Sequence, residues 1–279
     1  MTGASVREAL AEAVRRLGAG GVPEPARDAR LLVAAALGLP PDRLMLEPAA
    51  EVSPEALARL DGHLEERLRF RPVAQILGQR LFWGRWFRVT GDVLDPRPET
   101  EALVAAALAE PAPRRVLDLG TGSGAILLTL LAEWPQAIGV GTDASAAALA
   151  VAAGNAERLG LAARAEFTVA DWWQGVAGRF DLVASNPPYI PAAEVAGLSR
   201  DVRDWEPAMA LTPGPTGLES YRAIAAGLDA ALAPEGRALF EIGAGQAAAV
   251  SAIFRAAGFG RVTLARDLDG RDRVVVVAR

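Results

Sequence analysis

The sequence predicts an α/β fold: a seven-stranded mixed sheet, mostly parallel with one antiparallel strand, joined by a β-hairpin to a small N-terminal helical bundle. Three observations carry this. From residue 95 onward, short apolar runs alternate with stretches of helical period. Up to about residue 75 only helical periods occur. Between them, Phe82, Trp83, Trp86, Phe87 and Val89 crowd around Gly84 and before Gly91, as strands of a hairpin do.

In order, Val6, Leu10, Val14 and Leu17 share one helical face, with Gly18 as a stop. Asp28 precedes a second helix through Leu37, ended by Gly38 and the Pro40-Pro41 pair. Ser53 followed by Pro54 is a cap and a first-turn proline. Leu57, Leu60, Leu64 and Leu68 form the stripe behind it. His63 on that helix reads as a partly exposed surface residue. The hairpin aromatics either pack across a domain joint or wall a cleft. Strands follow at Arg115–Leu119, Ile138–Thr142, Phe167–Ala170, Phe180–Ser185, Ala238–Ile242, Val262–Ala265 and Val274–Ala278. Helices at Ile126–Trp134, Ser145–Leu159, Gly217–Leu232 and Gln246–Ala257 lie between most of them. Only Arg266–Arg271 separates the last two strands. That is too short for a crossover, so they pair antiparallel. The expected domains are residues 1–75, a hairpin linker 76–94 and an α/β domain 95–279.

Composition narrows the chemistry. With no cysteine and one histidine among 279 residues, disulfides, thiolate zinc sites, iron–sulfur clusters and a cysteine nucleophile are excluded. No metal site is expected. Net charge is -5, so no field draws the molecule to nucleic acid. Residues 1–90 carry 13 Arg against 11 acidic residues, and the rest 16 against 23. There is no secretory start and no membrane-length apolar run. A cytoplasmic protein is expected.

The loop after the first strand of the α/β domain reads Asp118-Leu119-Gly120-Thr121-Gly122-Ser123-Gly124-Ala125. Strand, glycine turn, helix is where open α/β sheets bind nucleotide-like ligands. Gly120, Gly122 and Ala125 also satisfy a dinucleotide pattern. Asp118 moves the reading to S-adenosylmethionine: a carboxylate there repels a pyrophosphate and suits an ammonium. Asp143 ends the second strand, where it can accept from both ribose hydroxyls, a feature NAD proteins share. Asp171-Trp172-Trp173 follows the third strand, beside the adenine in this layout. Either indole could cover the ring, or both could pack.

After the fourth strand comes Ser185-Asn186-Pro187-Pro188-Tyr189-Ile190. Pro-Pro is stiff and offers carbonyls without amide donors. The Asn186 side-chain oxygen and the Pro187 carbonyl can each accept one hydrogen of a planar –NH2 group, on which Tyr189 can stack. An amide nitrogen is a poor nucleophile because its lone pair is delocalised. Its methylation needs both hydrogens held and the nitrogen aligned. Carbonyl dipoles then stabilise the positive charge developing on it.

These loops, VLDLGTGSG and SNPPYI, resemble class I S-adenosylmethionine-dependent methyltransferases acting on planar amino groups, whose fold is Rossmann-like. Pro72-Val73-Ala74, Ile76-Leu77-Gly78, Phe82-Trp83-Gly84, Pro96-Arg97-Pro98-Glu99-Thr100-Glu101 and Glu206-Pro207 narrow the resemblance to release factor glutamine methyltransferases, the PrmC/HemK family. The resemblance implies N5-methylation of the glutamine in the Gly-Gly-Gln motif of bacterial peptide chain release factors. It also implies a helical domain that docks the release factor. S-adenosylhomocysteine is then the product, and a monomer is expected. The cofactor-binding set is Asp118, Gly120, Thr121, Gly122, Ser123, Gly124, Asp143, Ala144, Asp171, Trp172 and Asn186. Asn186, Pro187, Pro188 and Tyr189 form the catalytic and substrate-binding set. Arg97 and Glu99 either close the cofactor pocket, or Glu99 caps the helix starting there. A ribosomal-protein glutamine and a nucleic-acid amino group are the alternative substrates. A non-catalytic cofactor-binding protein and an NAD oxidoreductase are the other classes. The acidic balance of the catalytic part disfavours nucleic acid.

Overall fold

The computed structural model describes residues 4–44, 46 and 48–279. They form two compact units, residues 1–78 with 199–205, and residues 79–198 with 206–279.

The first unit holds α1 (Val6–Ala19), α2 (Pro25–Leu37), α3 (Pro54–Leu68) and α4 (Val73–Leu77). Ser5 caps α1 in a reciprocal box: its hydroxyl accepts from Glu8 N, and Glu8 Oε2 accepts from Ser5 N. The helix runs past Gly18, the expected stop, to Ala19 and ends at Gly20. A Cβ on Gly20 would lie 2.2 Å from Leu68 Cδ2, so a side chain there would require the Leu68 methyl of α3 to shift. Asp28 does not precede α2 but lies inside it, because Pro25 begins the helix. The Asp28 side chain is buried against Arg67 of α3 at 2.7 Å. Ser53 caps α3 as expected, accepting from Ala56 N. Leu60 and Leu64 join Leu17 and Leu32 in the core, and His63 is half-buried. Residues 199–205 belong to this unit through polar contacts invisible in sequence. Arg67 reaches Asp201, Gln75 donates to the Trp205 carbonyl, and the Trp205 indole donates to Arg69 O.

The second unit begins with the hairpin β1 (Gln79–Phe82) and β2 (Arg85–Arg88). Trp83 and Gly84 turn it with φ of 47° and 71°, as a two-residue turn between right-twisted strands requires. Phe82 and Phe87 meet edge-on and are buried in this unit's own core, while Trp86 is 45% exposed. Then follow α5 (Glu101–Leu108), β3 (Arg115–Leu119), α6 (Ala125–Glu133), β4 (Ile138–Asp143), α7 (Ala146–Arg158), β5 (Ala165–Val169) and β6 (Phe180–Ser185). After β6, α8 (Arg200–Arg203) lies in the first unit's segment. The second unit closes with α9 (Ala208–Leu211), α10 (Glu219–Ala231), β7 (Leu232–Glu241), α11 (Ala247–Ala256), β8 (Arg261–Arg266) and β9 (Asp272–Ala278).

The main sheet has the order β5-β4-β3-β6-β7-β9-β8. Only β9 runs antiparallel, against both β7 and β8. Both faces are covered. Val116 of β3 packs with α5 and α6, whereas Leu117 and Leu119 face α10 and α11. Burial on both faces is why these strands read as continuous apolar runs. β7 starts six residues before the expected Ala238, since Pro234-Glu235-Gly236 hides its first half, where Phe180 pairs with Leu232. Strand order reverses between β3 and β6, and ligands bind at that switch point in open α/β sheets. Among the described residues no helix is long and apolar enough to cross a membrane.

Candidate active site

The turn after β3 is built on glycines. Gly120 and Gly122 have φ of 69° and 55°, and a Cβ on either would meet nothing within 4 Å. Their bare backbone faces open space, a cradle suited to a ligand lying against it. Gly124 is glycine for another reason: a Cβ there would stand 2.9 Å from Leu128 Cδ1 and 3.3 Å from Ala152 Cβ. Asp143 holds the loop, its two oxygens accepting from Gly122 N and Ser145 N, each at 2.9 Å. Asn155 of α7, which sequence reasoning missed, donates to Ser123 O at 2.8 Å and brackets the backbone of Arg88.

Asp118 lies beneath this turn, 1% exposed. Its Oδ2 accepts from the Thr121 hydroxyl at 2.7 Å, and its Oδ1 has no partner among the described residues. Burial pushes the carboxyl up to about 7, opposed by the Thr121 hydroxyl and reinforced by Asp143. An ammonium would satisfy the orphaned oxygen. The raised value carries a sign for stability. The carboxyl's contribution is full below about 3.8 and is lost as pH rises through about 7. Asp118→Asn is therefore expected to gain melting temperature relative to the parent between pH 4 and pH 8, by roughly a few kcal/mol of differential stability. Ligand-free melts across that range check it, and two parallel curves would refute the buried carboxylate.

A cavity of about 450 Å³ opens above the carboxyl ends of β3, β4 and β6. Gly120, Thr121, Gly122, Ser123, Asp143 and Ala144 line one side. Asp171, Trp172, Asn186 and Pro188 line others. Asp118, Gly124, Pro187 and Tyr189 are not part of this lining. None of the hairpin aromatics reaches the cavity, whereas Asp92, Val93 and Leu94 do. The two indoles separate. Trp172 takes φ of 51° and faces the cavity. Trp173 turns into the core, where its Nε1 donates to the carbonyls of Ala223 and Ile224. Gly227 of α10 makes room for it, since a Cβ there would fall 2.4 Å from Trp173 Cδ1. Arg97 lines the cavity, and its Nη2 donates to both carboxylate oxygens of Glu206 at 2.6 and 2.7 Å. Glu99 is not part of the lining.

The Asn186–Tyr189 loop is pinned at Asn186, Pro188 and Tyr189. The Ser185 hydroxyl donates to Leu119 O at 2.6 Å, tying β6 to the glycine turn. Asn186 Nδ2 donates to Thr100 Oγ1 at 3.2 Å. The Ser220 hydroxyl donates to Pro188 O at 2.9 Å, and Gln246 Nε2 to Tyr189 O at 2.9 Å. Asn186 Oδ1 and the Pro187 carbonyl have no donor among the described residues. Burial and the Glu241 carboxylate push the Tyr189 hydroxyl up to about 12, so it stays protonated at neutral pH. Ser220, Glu241 and Gln246 were not singled out in the sequence, and Thr100 only within the Pro96–Glu101 run. Their one local signal is position, each at the edge of a helix or strand.

A family model described as "PrmC N-terminal domain" matches residues 8–78, and one described as "Methyltransferase small domain" matches residues 95–198. A protein of Cereibacter sphaeroides named release factor glutamine methyltransferase is 57% identical over 268 residues, covering 96% of this chain and 96% of that one. One of the same name from Moorella thermoacetica is 40% identical over 280 residues, covering 99% of each. Among solved structures, the hMettl16 catalytic domain in complex with the MAT2A 3'UTR hairpin 6 aligns with a TM-score of 0.56 at 16% identity, over 75% of this chain and 83% of that one. A methyltransferase from Pyrococcus furiosus aligns with a TM-score of 0.52 at 14% identity, over 70% and 89%. These two likenesses concern the fold.

Proposed function

This chain belongs to the release factor glutamine methyltransferase family, and on that premise we propose that it transfers a methyl group from S-adenosylmethionine to the side-chain amide nitrogen, N5, of the glutamine in the Gly-Gly-Gln motif of bacterial peptide chain release factors. The observation that carries the reading is the pair of uncommitted oxygens, Asn186 Oδ1 and Pro187 O, on a loop whose Pro188 and Tyr189 carbonyls are engaged. A primary amide has two N–H hydrogens to match them.

The residues present fit the cofactor. Gly120 and Gly122 would lie against its methionine portion, and the orphaned Asp118 Oδ1 would take the ammonium. Asp143 would accept from the ribose hydroxyls, and Trp172 with Asp171 would flank the adenine. When bound, S-adenosylmethionine supplies an electrophilic methyl on a sulfonium. Asn186 and Pro187 then hold the substrate amide and restrict its rotation. Their dipoles stabilise the positive charge that grows on its nitrogen. Tyr189, neutral at working pH, stacks on the amide plane. The helical N-terminal unit docks the release factor, and the enzyme acts as a monomer in the cytoplasm.

The test supplies labelled S-adenosylmethionine with unmethylated release factor, a version with the motif glutamine changed to alanine, ribosomal protein and RNA. One added methyl on that glutamine, absent from the alanine version, is expected. Label in ribosomal protein or RNA instead would overturn the substrate, and no label in any of them would overturn the activity.

A further inference from the structure

Three ties join three stretches of the second unit, residues 97–100, 186–190 and 206–211, into a closed ring. Asn186 Nδ2 donates to Thr100 Oγ1 at 3.2 Å. Arg97 Nη2 donates to both oxygens of Glu206 at 2.6 and 2.7 Å. Ile190 N donates to Leu211 O at 3.0 Å, and Ala192 N to Gly214 O at 2.9 Å just beyond it. Each stretch is stiff in itself. Thr100 N donates to Arg97 O, and Ala210 N to Pro207 O. Each also carries proline, at Pro98, at Pro187 and Pro188, and at Pro207, which fixes its own φ. Arg97, Thr100, Asn186, Pro207, Met209 and Ala210 all line the cavity.

We propose that this ring frames the entrance by which the substrate side chain reaches Asn186, that the Arg97–Glu206 pair latches it, and that its fixed width selects a glutamine preceded by a residue without a Cβ. The inference rests on the reading of the Gly-Gly-Gln motif as substrate. The latch is suited to fixing a distance. The Glu206 side chain is 1% exposed, and a carboxylate so desolvated depends on its partner. A two-pronged guanidinium–carboxylate contact sets orientation as well as separation, which a lysine ammonium cannot do. Asp95 stands 3.9 Å from Arg97 Nη1 and 3.6 Å from Arg80 Nη1. Two guanidiniums thus face two carboxylates, and the cluster is balanced in charge without a ligand. Arg97 and Glu206 are positioning residues.

Met209 gives the frame an apolar edge. It is 55% exposed although it lines the cavity. A glycine main chain passes such an edge closely, whereas an added methyl needs the frame to yield. Close-packed walls yield little.

The test measures kcat/KM for methyl transfer to two release factors, one with the natural motif and one with the glycine before the glutamine changed to alanine. The parent is expected to favour the natural motif by roughly tenfold or more. Arg97→Lys and Glu206→Gln are each expected to shrink that ratio to about threefold or less, with cofactor Kd within about threefold. General damage to the fold lowers both substrates alike and leaves the ratio unmoved. A parent that does not discriminate would overturn the proposal. So would variants that keep the parental ratio, including variants that lose cofactor affinity instead, which would assign Arg97 to the cofactor. If neither latch variant folds, Met209→Ala decides, since an exposed side chain can be truncated at little cost to stability. It is expected to shrink the ratio as well, and a parental ratio there overturns the frame. A parent that methylates neither release factor would bring down the substrate reading itself. Methylation of the natural motif with an unmoved ratio in the variants brings down only the frame.

Discussion

Asn186→Ala is expected to cut turnover by about 10²-fold or more while cofactor affinity stays within a few fold. Asn186 lines the cavity and supplies an uncommitted acceptor, Oδ1. Its truncation leaves the substrate amide held by Pro187 O alone, free to rotate about that bond. An acceptor that engages most strongly as the nitrogen gains charge lowers kcat when lost, rather than raising KM alone. Single-turnover methyl transfer with calorimetric cofactor binding separates the two. Unchanged turnover would remove the Asn-Pro-Pro-Tyr loop from the chemistry.

Asp143→Ala is expected to act at the other end, weakening cofactor binding by about 10²-fold, as two hydrogen bonds to a charged group disappear. The effect has two sources. Ribose hydroxyls lose their acceptor, and the N–H groups of Gly122 and Ser145 lose theirs, so the glycine turn loosens. Asp143→Asn keeps an acceptor for one of these groups and should fall between. An unaltered dissociation constant in Asp143→Ala would refute the ribose assignment. At saturating cofactor, kcat should recover most of its value, unlike in Asn186→Ala.

The seven strands, the glycine turn and the proline loop were legible because each is a short contiguous pattern. In the central strands β3, β6 and β9, apolar runs of strand length buried on both faces need no distant partner to be recognised. Where a breaker fell inside an element the pattern misled, as at Pro234-Glu235-Gly236 within β7 and at Gly18 within α1. Asp28 was misplaced for a related reason. It looks like a cap, but Pro25 starts the helix earlier and Asp28 is buried against Arg67.

By itself the sequence determined the α/β class, the antiparallel last pair of strands and the two loops at the switch point. Only the tertiary structure decided which indole faces the cavity, that residues 199–205 belong to the first unit, and which groups pin the reactive loop. Asn186 meets Thr100 across 86 residues, Tyr189 meets Gln246 across 57, and Pro188 meets Ser220 across 32. Backbone preference is carried by neighbouring side chains and is written locally. A buried polar group must instead find its partner wherever packing brings one, because leaving it unpaired costs more than the pair contributes. That constraint acts in space and leaves no period or spacing in the chain.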